Sequence, residues 1–156
     1  MREYIVTCCS TADMSRTFME TNEVPFAMFH YQLDGKEYAD DLYSSISPEV
    51  FYKMIGDGAQ PVTSQVNAEA YCALFEPVLK SGKDVLHLTL SSGISGSINS
   101  ANVAKTQMEE KYPDRRVMVV DSLAASSGYG MLVEQTLENQ RAGMSLEENA
   151  AWIVAH

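Results

Sequence analysis

Asp84-Val85-Leu86-His87-Leu88-Thr89-Leu90, running directly into Ser91-Ser92-Gly93-Ile94-Ser95-Gly96-Ser97, is the stretch whose reading decides the fold. Its first half is a short, nearly continuous apolar run, the pattern of a strand covered on both faces. Its second half holds four serines and two glycines. A segment from Ser97 to Lys111 then reads as a helix. The serine-glycine loop therefore sits where a strand ends and a helix begins. In open α/β sheets ligands bind at the carboxyl ends of strands. The free N–H groups and positive dipole end of a helix N-terminus favour an anion there. Glycines let the backbone approach a ligand, and hydroxyls add donors without charge. The loop is thus either a receptor for a small anionic head group or a plain Ser/Gly turn capping the helix.

The surrounding segments repeat the strand-helix alternation. Tyr4 to Cys8 reads as a first strand, ending in Cys9-Ser10-Thr11. Val24 to Leu33 is β-rich, and Asp34-Gly35 turns it into Lys36-Glu37-Tyr38, a hairpin signal. Ser47-Pro48 opens a helix, and Val50, Phe51, Met54 and Ile55 form one apolar stripe before Gly56 and Gly58. Asn67 caps the next helix, whose Tyr71, Leu74, Phe75, Val78 and Leu79 follow helical spacing. Pro77 is expected to bend or shorten it. Val117 to Val120 is a third buried strand, ending in Asp121-Ser122. Helices follow from about Ser126 to Ala142, and from the capping box Ser145-Leu146-Glu147-Glu148. This order predicts an α/β fold with a largely parallel central sheet flanked by helices.

The chain has 156 residues, a formal net charge of −10 and a sequence pI of about 4.6. It is long enough for one domain with a real core. No Lys/Arg cluster supplies an electrostatic footprint for nucleic acid. No apolar stretch is long enough to span a bilayer, so stable membrane insertion is not expected. Cys8, Cys9 and Cys72 make an odd count without zinc-site spacing, so neither a metal nor a disulfide framework is expected, and a reducing cytoplasm is the simplest compartment. His87, in mid-strand, reads as a hydrogen-bonded core histidine.

Three predicted strands end in hydroxyl-bearing residues: Ser10-Thr11, Ser91-Ser92 and Ser122. In a parallel sheet those ends share one edge. A fourth polar loop, Val62-Thr63-Ser64-Gln65, precedes a capped helix. Convergence of these loops makes a cleft rich in neutral donors, suited to holding a carboxylate. A competing reading is a serine hydrolase. Ser95, Asp121 and His156 stand in the chain order of an α/β-hydrolase triad, with Ser95 as nucleophile. The elbow pattern G-x-S-x-G fails, however, because Gly93-Ile94-Ser95-Gly96 is followed by Ser97.

These residues resemble the DegV family of bacterial fatty-acid-binding proteins. Thr63-Ser64-Gln65 is similar to the family's T-S-Q motif. Ser91 to Ser97 is similar to its S-S-x-L-S-G-T loop, with Ala101 in the expected place. Val119-Val120-Asp121-Ser122 resembles its strand-ending D-S motif, and Gly128, Gly130 and Leu132-Val133 resemble the helix after it. The resemblance implies an α/β first domain of a longer two-domain protein, with the ligand between the domains. It implies that residues 1–156 bind a long-chain fatty acid, whose carboxylate is held by Thr63 and Ser95 beside the Gly96 backbone. Ser64, Ser92 and Ser10 complete the expected ligand-binding set. It further implies a partner fatty acid kinase that makes an acyl-phosphate for phospholipid synthesis. The chemistry then belongs to the kinase, and this chain needs no catalytic residue and no cofactor. One departure stands out: the family's first strand usually ends in D-S, and Cys9 occupies the aspartate position. The apolar helix end from Trp152 to His156 carries no cap or polar tail, so the chain is expected to be cut within a longer protein, with an apolar patch where a second domain would pack.

Overall fold

The computed structural model describes residues 3–156. Four parallel strands form the main sheet: β1 (Tyr4–Cys9), β2 (Phe26–Ala27), β6 (Asp84–Thr89) and β7 (Val117–Asp121) lie in the order β2-β1-β6-β7. The expected α/β class and parallel sheet are therefore observed. Every residue of β6 is buried, as its apolar run requires. Its polar members are satisfied inside the core: Asp84 accepts the Arg116 N–H at 2.9 Å, and Thr89 donates to the Val120 carbonyl at 3.3 Å.

A second sheet is antiparallel and has three strands in the order β4-β3-β5: β3 (His30–Leu33), β4 (Lys36–Ala39) and β5 (Val62–Ser64). The Asp34-Gly35 turn has φ of 50° and 75°, the left-handed pair that a two-residue hairpin turn needs. The segment Val62 to Ser64, expected as a loop, is the third strand here. Thr63 lies opposite Tyr31 and Ser64 opposite His30. Three residues between Pro61 and Gln65 show no period, and only the partner strand defines them.

Six helices complete the chain: α1 (Arg16–Thr21), α2 (Pro48–Gly56), α3 (Ala68–Lys80), α4 (Ser97–Lys111), α5 (Ser126–Arg141) and α6 (Leu146–Ala155). Helix α1 is too short for a period to show in the sequence, and its sign is the Ser15 hydroxyl accepting the Phe18 N–H. Helix α3 buries Tyr71, Phe75, Val78 and Leu79. It runs straight through Pro77 to Lys80, because a proline in the last turn leaves only one helical bond unmade. Helix α2 buries no residue, and Val50 of its apolar stripe is 51% exposed. Only Phe51 finds a ring partner in the hairpin, meeting Tyr31 edge-on at 5.3 Å between centroids.

Helix α5 approaches the 3-10 turn Ser10–Ala12 closely at Gly130, where a Cβ would stand 2.7 Å from the Ala12 carbonyl oxygen. That close approach delivers Tyr129 into the sheet. Strands β1 and β6 pair only as far as Thr7 and His87. Beyond them β1 turns to β2, with Cys9 opposite Ala27, while β6 stays with β7, with Thr89 opposite Asp121. The Tyr129 hydroxyl fills the gap: it accepts the Cys9 N–H at 3.0 Å and donates to the Leu88 carbonyl. Tyr129→Phe would leave both buried groups unpaired. Unsatisfied buried groups cost about 1–3 kcal/mol each, so the variant should lose roughly 2–6 kcal/mol and melt roughly 5–20 °C lower. An unchanged thermal midpoint would show that this bridge is dispensable.

Candidate ligand-binding site

The chain passes from β1 to β2 on one side and reaches β6 on the other. The loops leaving β1 and β6 therefore diverge, and the crevice between them lies at the carboxyl ends of the strands, where this class of sheet takes its ligands. Two segments meet there. One is the β6–α4 loop, Leu90 to Gly96. The other is the end of β5 with the turn into α3. Gln65 covers Gly96 so closely that a Cβ on the glycine would stand 2.9 Å from the Gln65 amide. The Val66 N–H donates to Ser97 Oγ at 3.3 Å. The expected meeting of the T-S-Q segment with the serine-glycine loop is thus built from specific contacts.

Ser95 is half-buried, and its Oγ lies 2.9 Å from Ser97 Oγ and accepts the Ser97 N–H at 3.2 Å. Gly96 is the N-cap of α4, whose first turn carries no acidic residue. Residues 60–67 and 90–104 contain no charged side chain at all. The polar groups here are therefore neutral hydroxyls and helix-terminal amides, donors that suit an anion.

The six expected ligand residues separate into two groups. Thr63 lines a cavity, and Ser95 and Gly96 stand half-buried at the start of α4. Ser92, Ser64 and Ser10 are committed within the fold. The Ser92 side chain and N–H both bond Asp121, the N–H at 3.1 Å. Ser64 donates to the His30 carbonyl at 3.3 Å. Ser10 is fully buried, accepts the Phe29 N–H at 3.1 Å and bonds Asp40. It ties the end of β1 to the hairpin.

The cavity that Thr63 lines is about 210 Å³, with Phe29, Tyr31, Ile46 and Phe51 as its apolar wall. Asp13, Asp40 and Asp41 stand at the same cavity. Burial, with the neighbouring Asp13 and Asp41 charges, raises the Asp40 carboxyl above its ordinary value despite the Ser10 bond. Sequence reading missed this cavity, because its walls come from the hairpin, the loop after it and α2.

The hydrolase order does not assemble into a triad. Ser95 bonds Ser97. Burial pushes the Asp121 carboxyl up, but bonds from Ser92 and the Leu123 backbone outweigh it and hold it below the usual range. His156 stacks on Trp152 at 4.2 Å and its Nδ1 meets the Trp152 carbonyl.

Beneath the crevice lies a buried polar cluster. His87 Nδ1 is 2.8 Å from Thr7 Oγ1, and its Nε2 is 3.8 Å from Cys9 Sγ. Cys9 Sγ lies 3.4 Å from the Tyr71 hydroxyl. His87 is therefore the bonded core histidine expected from its mid-strand position.

An open parallel sheet with a switch point, and a loop of neutral hydroxyls opening a helix at its strand ends, define an α/β domain of the strand-end ligand-site class. The chain belongs to the DegV family: the family model described as "Uncharacterised protein, DegV family" matches residues 5–156. A DegV domain-containing protein of Clostridium perfringens is 32% identical over 153 residues, covering 98% of this chain and 53% of that protein. A solved DegV family protein of Thermus thermophilus, described for its fatty-acid binding, superposes with a TM-score of 0.87 at 30% identity, over 99% of this chain and 53% of that one. A stearic-acid-binding protein of Eubacterium ventriosum gives 0.88 at 28% identity, over 97% of this chain and 52% of its own. The chain spans about half the length of these relatives. No helix among the described residues is long and apolar enough to cross a membrane.

Burial lowers the His87 pKa from 6.5 to about 3. The folded protein keeps it neutral while the unfolded chain takes up a proton below pH 6.5. Stability is then fully present above that pH and is lost as pH falls toward the folded value. Between pH 7 and pH 5 this single group should remove roughly 2 kcal/mol. Urea unfolding of wild type and His87→Gln at the two pH values checks it: the wild type should lose that much more than the variant, and equal losses would contradict the assignment.

Proposed function

We propose that this chain binds a long-chain fatty acid. The carboxylate sits in the crevice, hydrogen-bonded by the Thr63 and Ser95 hydroxyls and by the amides at the start of α4 beside Gly96. The observation that carries this reading is the uncharged donor set at a helix N-terminus, together with Thr63 lining a cavity walled by Phe29, Tyr31, Ile46 and Phe51. A buried carboxylate must have its lone pairs satisfied to leave water. Hydroxyls and amides do this without a cation. The fatty-acid-binding relatives of Thermus thermophilus and Eubacterium ventriosum support the ligand class.

Charge sets the direction of entry. Asp13, Asp40 and Asp41 repel a carboxylate from the cavity, so the acyl chain enters it and the head group stays at the rim. At about 210 Å³ the cavity is smaller than a typical small-molecule pocket, and it takes only the first part of an acyl chain. The remainder of the acyl chain lies outside this cavity.

Thr63, Ser92 and Gly93 are exposed, and Ile94 at the loop tip is 66% exposed. A head group held there is reachable by a second protein. This supports presentation of the carboxylate to a fatty acid kinase that forms the acyl-phosphate, with the present chain as carrier in the cytoplasm and the phosphoryl transfer performed by the partner.

A hydrogen bond to a charged group contributes about 1.5–3 kcal/mol. In the full-length gene product Ser95→Ala should therefore weaken fatty-acid binding about ten- to a hundred-fold. Thr63→Ala should act similarly, and the double variant should be non-additive, because both hydroxyls reach one carboxylate. A fatty alcohol of equal length should be nearly indifferent to Ser95→Ala. Calorimetric titration decides: equal losses for acid and alcohol would mean that Ser95 does not read the carboxylate.

A further inference from the structure

We propose that α2 is a hinged lid over the acyl cavity and that Phe51 is its gate, closing on the acyl chain once the carboxylate is held. The proposal rests on the fatty-acid site put forward above and adds how the cavity fills.

Of the four side chains that form the cavity's apolar wall, Ile46 and Phe51 come from the segment between β4 and β5. The other two are fixed. Phe29 is part of the core, and Tyr31 is held between strand partners, opposite Tyr38 on one side and Thr63 on the other. The segment that carries Ile46 and Phe51 is hardly attached. No residue from 41 to 65 is buried. Leu42 packs against the core, whereas α2 buries none of its side chains. Among the described residues, the hydrogen bonds and ion pairs of residues 44–59 reach only Asp41 and one another. A helix held this way opens locally at low cost.

Both ends of the segment have hinge geometry. Leu42 and Tyr43 have φ of 57° and 63°. These are two successive residues in the left-handed region, where bulky side chains are rarely found. Just before them, the Asp41 carbonyl accepts a bond from Arg16 of α1 at 2.5 Å, so Asp41 stays with the body of the domain. At the far end Gly58 has φ of 106°, and nothing lies within 4 Å of where its Cβ would stand. Strained backbone persists only where its surroundings over-determine it. Here those surroundings are slight. Asp41 Oδ1 clasps the Ser44 and Ser45 N–H groups at 2.9 and 3.2 Å, and Phe51 meets Tyr31 edge-on at 5.3 Å.

Two effects therefore oppose each other. Swinging α2 outward lets Leu42 and Tyr43 return to ordinary angles. Closing it restores the apolar wall. That opposition makes the segment a two-position element. An acyl chain in the cavity touches Ile46 and Phe51 only when the lid is shut, and so selects the closed position. The open position gives the chain a side entrance, so that it need not thread past the rim at Thr63.

The test uses the full-length gene product in a Cys72→Ser background. Spin labels are placed at Lys53→Cys on α2 and Glu110→Cys on α4, both exposed positions. Cys8 and Cys9 are fully buried and take no label. Pulsed double electron–electron resonance reads the distance between labels, first in protein freed of lipid and then with saturating oleate, and calorimetry reads affinity on the same samples. The expected result is a broad distribution without lipid that narrows to one distance with oleate. Phe51 lies outside the core, so Phe51→Ala keeps its fold. That variant should stay broad with oleate bound and bind it about three- to ten-fold more weakly. One narrow distance, the same with and without bound oleate, overturns the lid and leaves the fatty-acid reading standing. So does a wild-type distribution that stays broad with oleate bound, or a Phe51→Ala protein that narrows as the wild type does. No oleate binding to the wild type overturns both.

Discussion

The separation of β1 from β6 after Thr7 and His87 is the constraint on which the site depends. Two parallel strands that remained paired to their ends would leave no crevice. Two that parted without help would strand the Cys9 N–H and the Leu88 carbonyl in a dry interior. The Tyr129 hydroxyl satisfies both at once, and Gly130 beside it allows α5 close enough to place that ring. The opening is therefore held by a residue on a helix that contributes nothing else to the crevice. Above it the loops from the two strand ends are free to carry functional groups.

Neutral donors suit the ligand class for an energetic reason. A cation in the crevice would bind many anions, free phosphate included, and would bear its own desolvation cost when covered by an acyl chain. Hydroxyls and amides cost far less to bury and still contribute charge-assisted bonds once the carboxylate arrives. The acids near the hairpin cavity act as the complement. In the proposed binding mode they oppose the reversed orientation of the ligand. Separation of an uncharged rim from an acidic, aromatic cavity gives direction without a single ion pair.

Much of this was legible in the sequence. The apolar run of 84–90 was legible because a strand buried throughout needs an unbroken apolar stretch, and the serine-glycine loop marks where that strand ends and α4 begins. The Asp34-Gly35 turn was legible because its left-handed angles demand those residue types. The β5 strand was not, since Val62, Thr63 and Ser64 have no pattern until β3 lies beside them. Apolar stripes misled in one place: Val50, Phe51, Met54 and Ile55 look like a buried face, yet α2 buries none of them. Hydroxyls proved the hardest to assign. Ser10, Ser92 and Ser95 look alike in a sequence, but Ser10 and Ser92 are bonded into the fold through Phe29 and Asp121. Tyr71 reads as one more core residue in a helical stripe, because spacing records that a ring is buried and not where its hydroxyl ends.

The most direct measurement of the central claim is NMR of a fatty acid labelled with 13C at its carboxyl carbon, titrated into the full-length gene product. A carboxylate gathered by hydroxyls and helix-terminal amides should give one displaced, saturable carboxyl resonance that is complete at one equivalent. A carboxyl signal that stays at its free position throughout the titration would contradict the account.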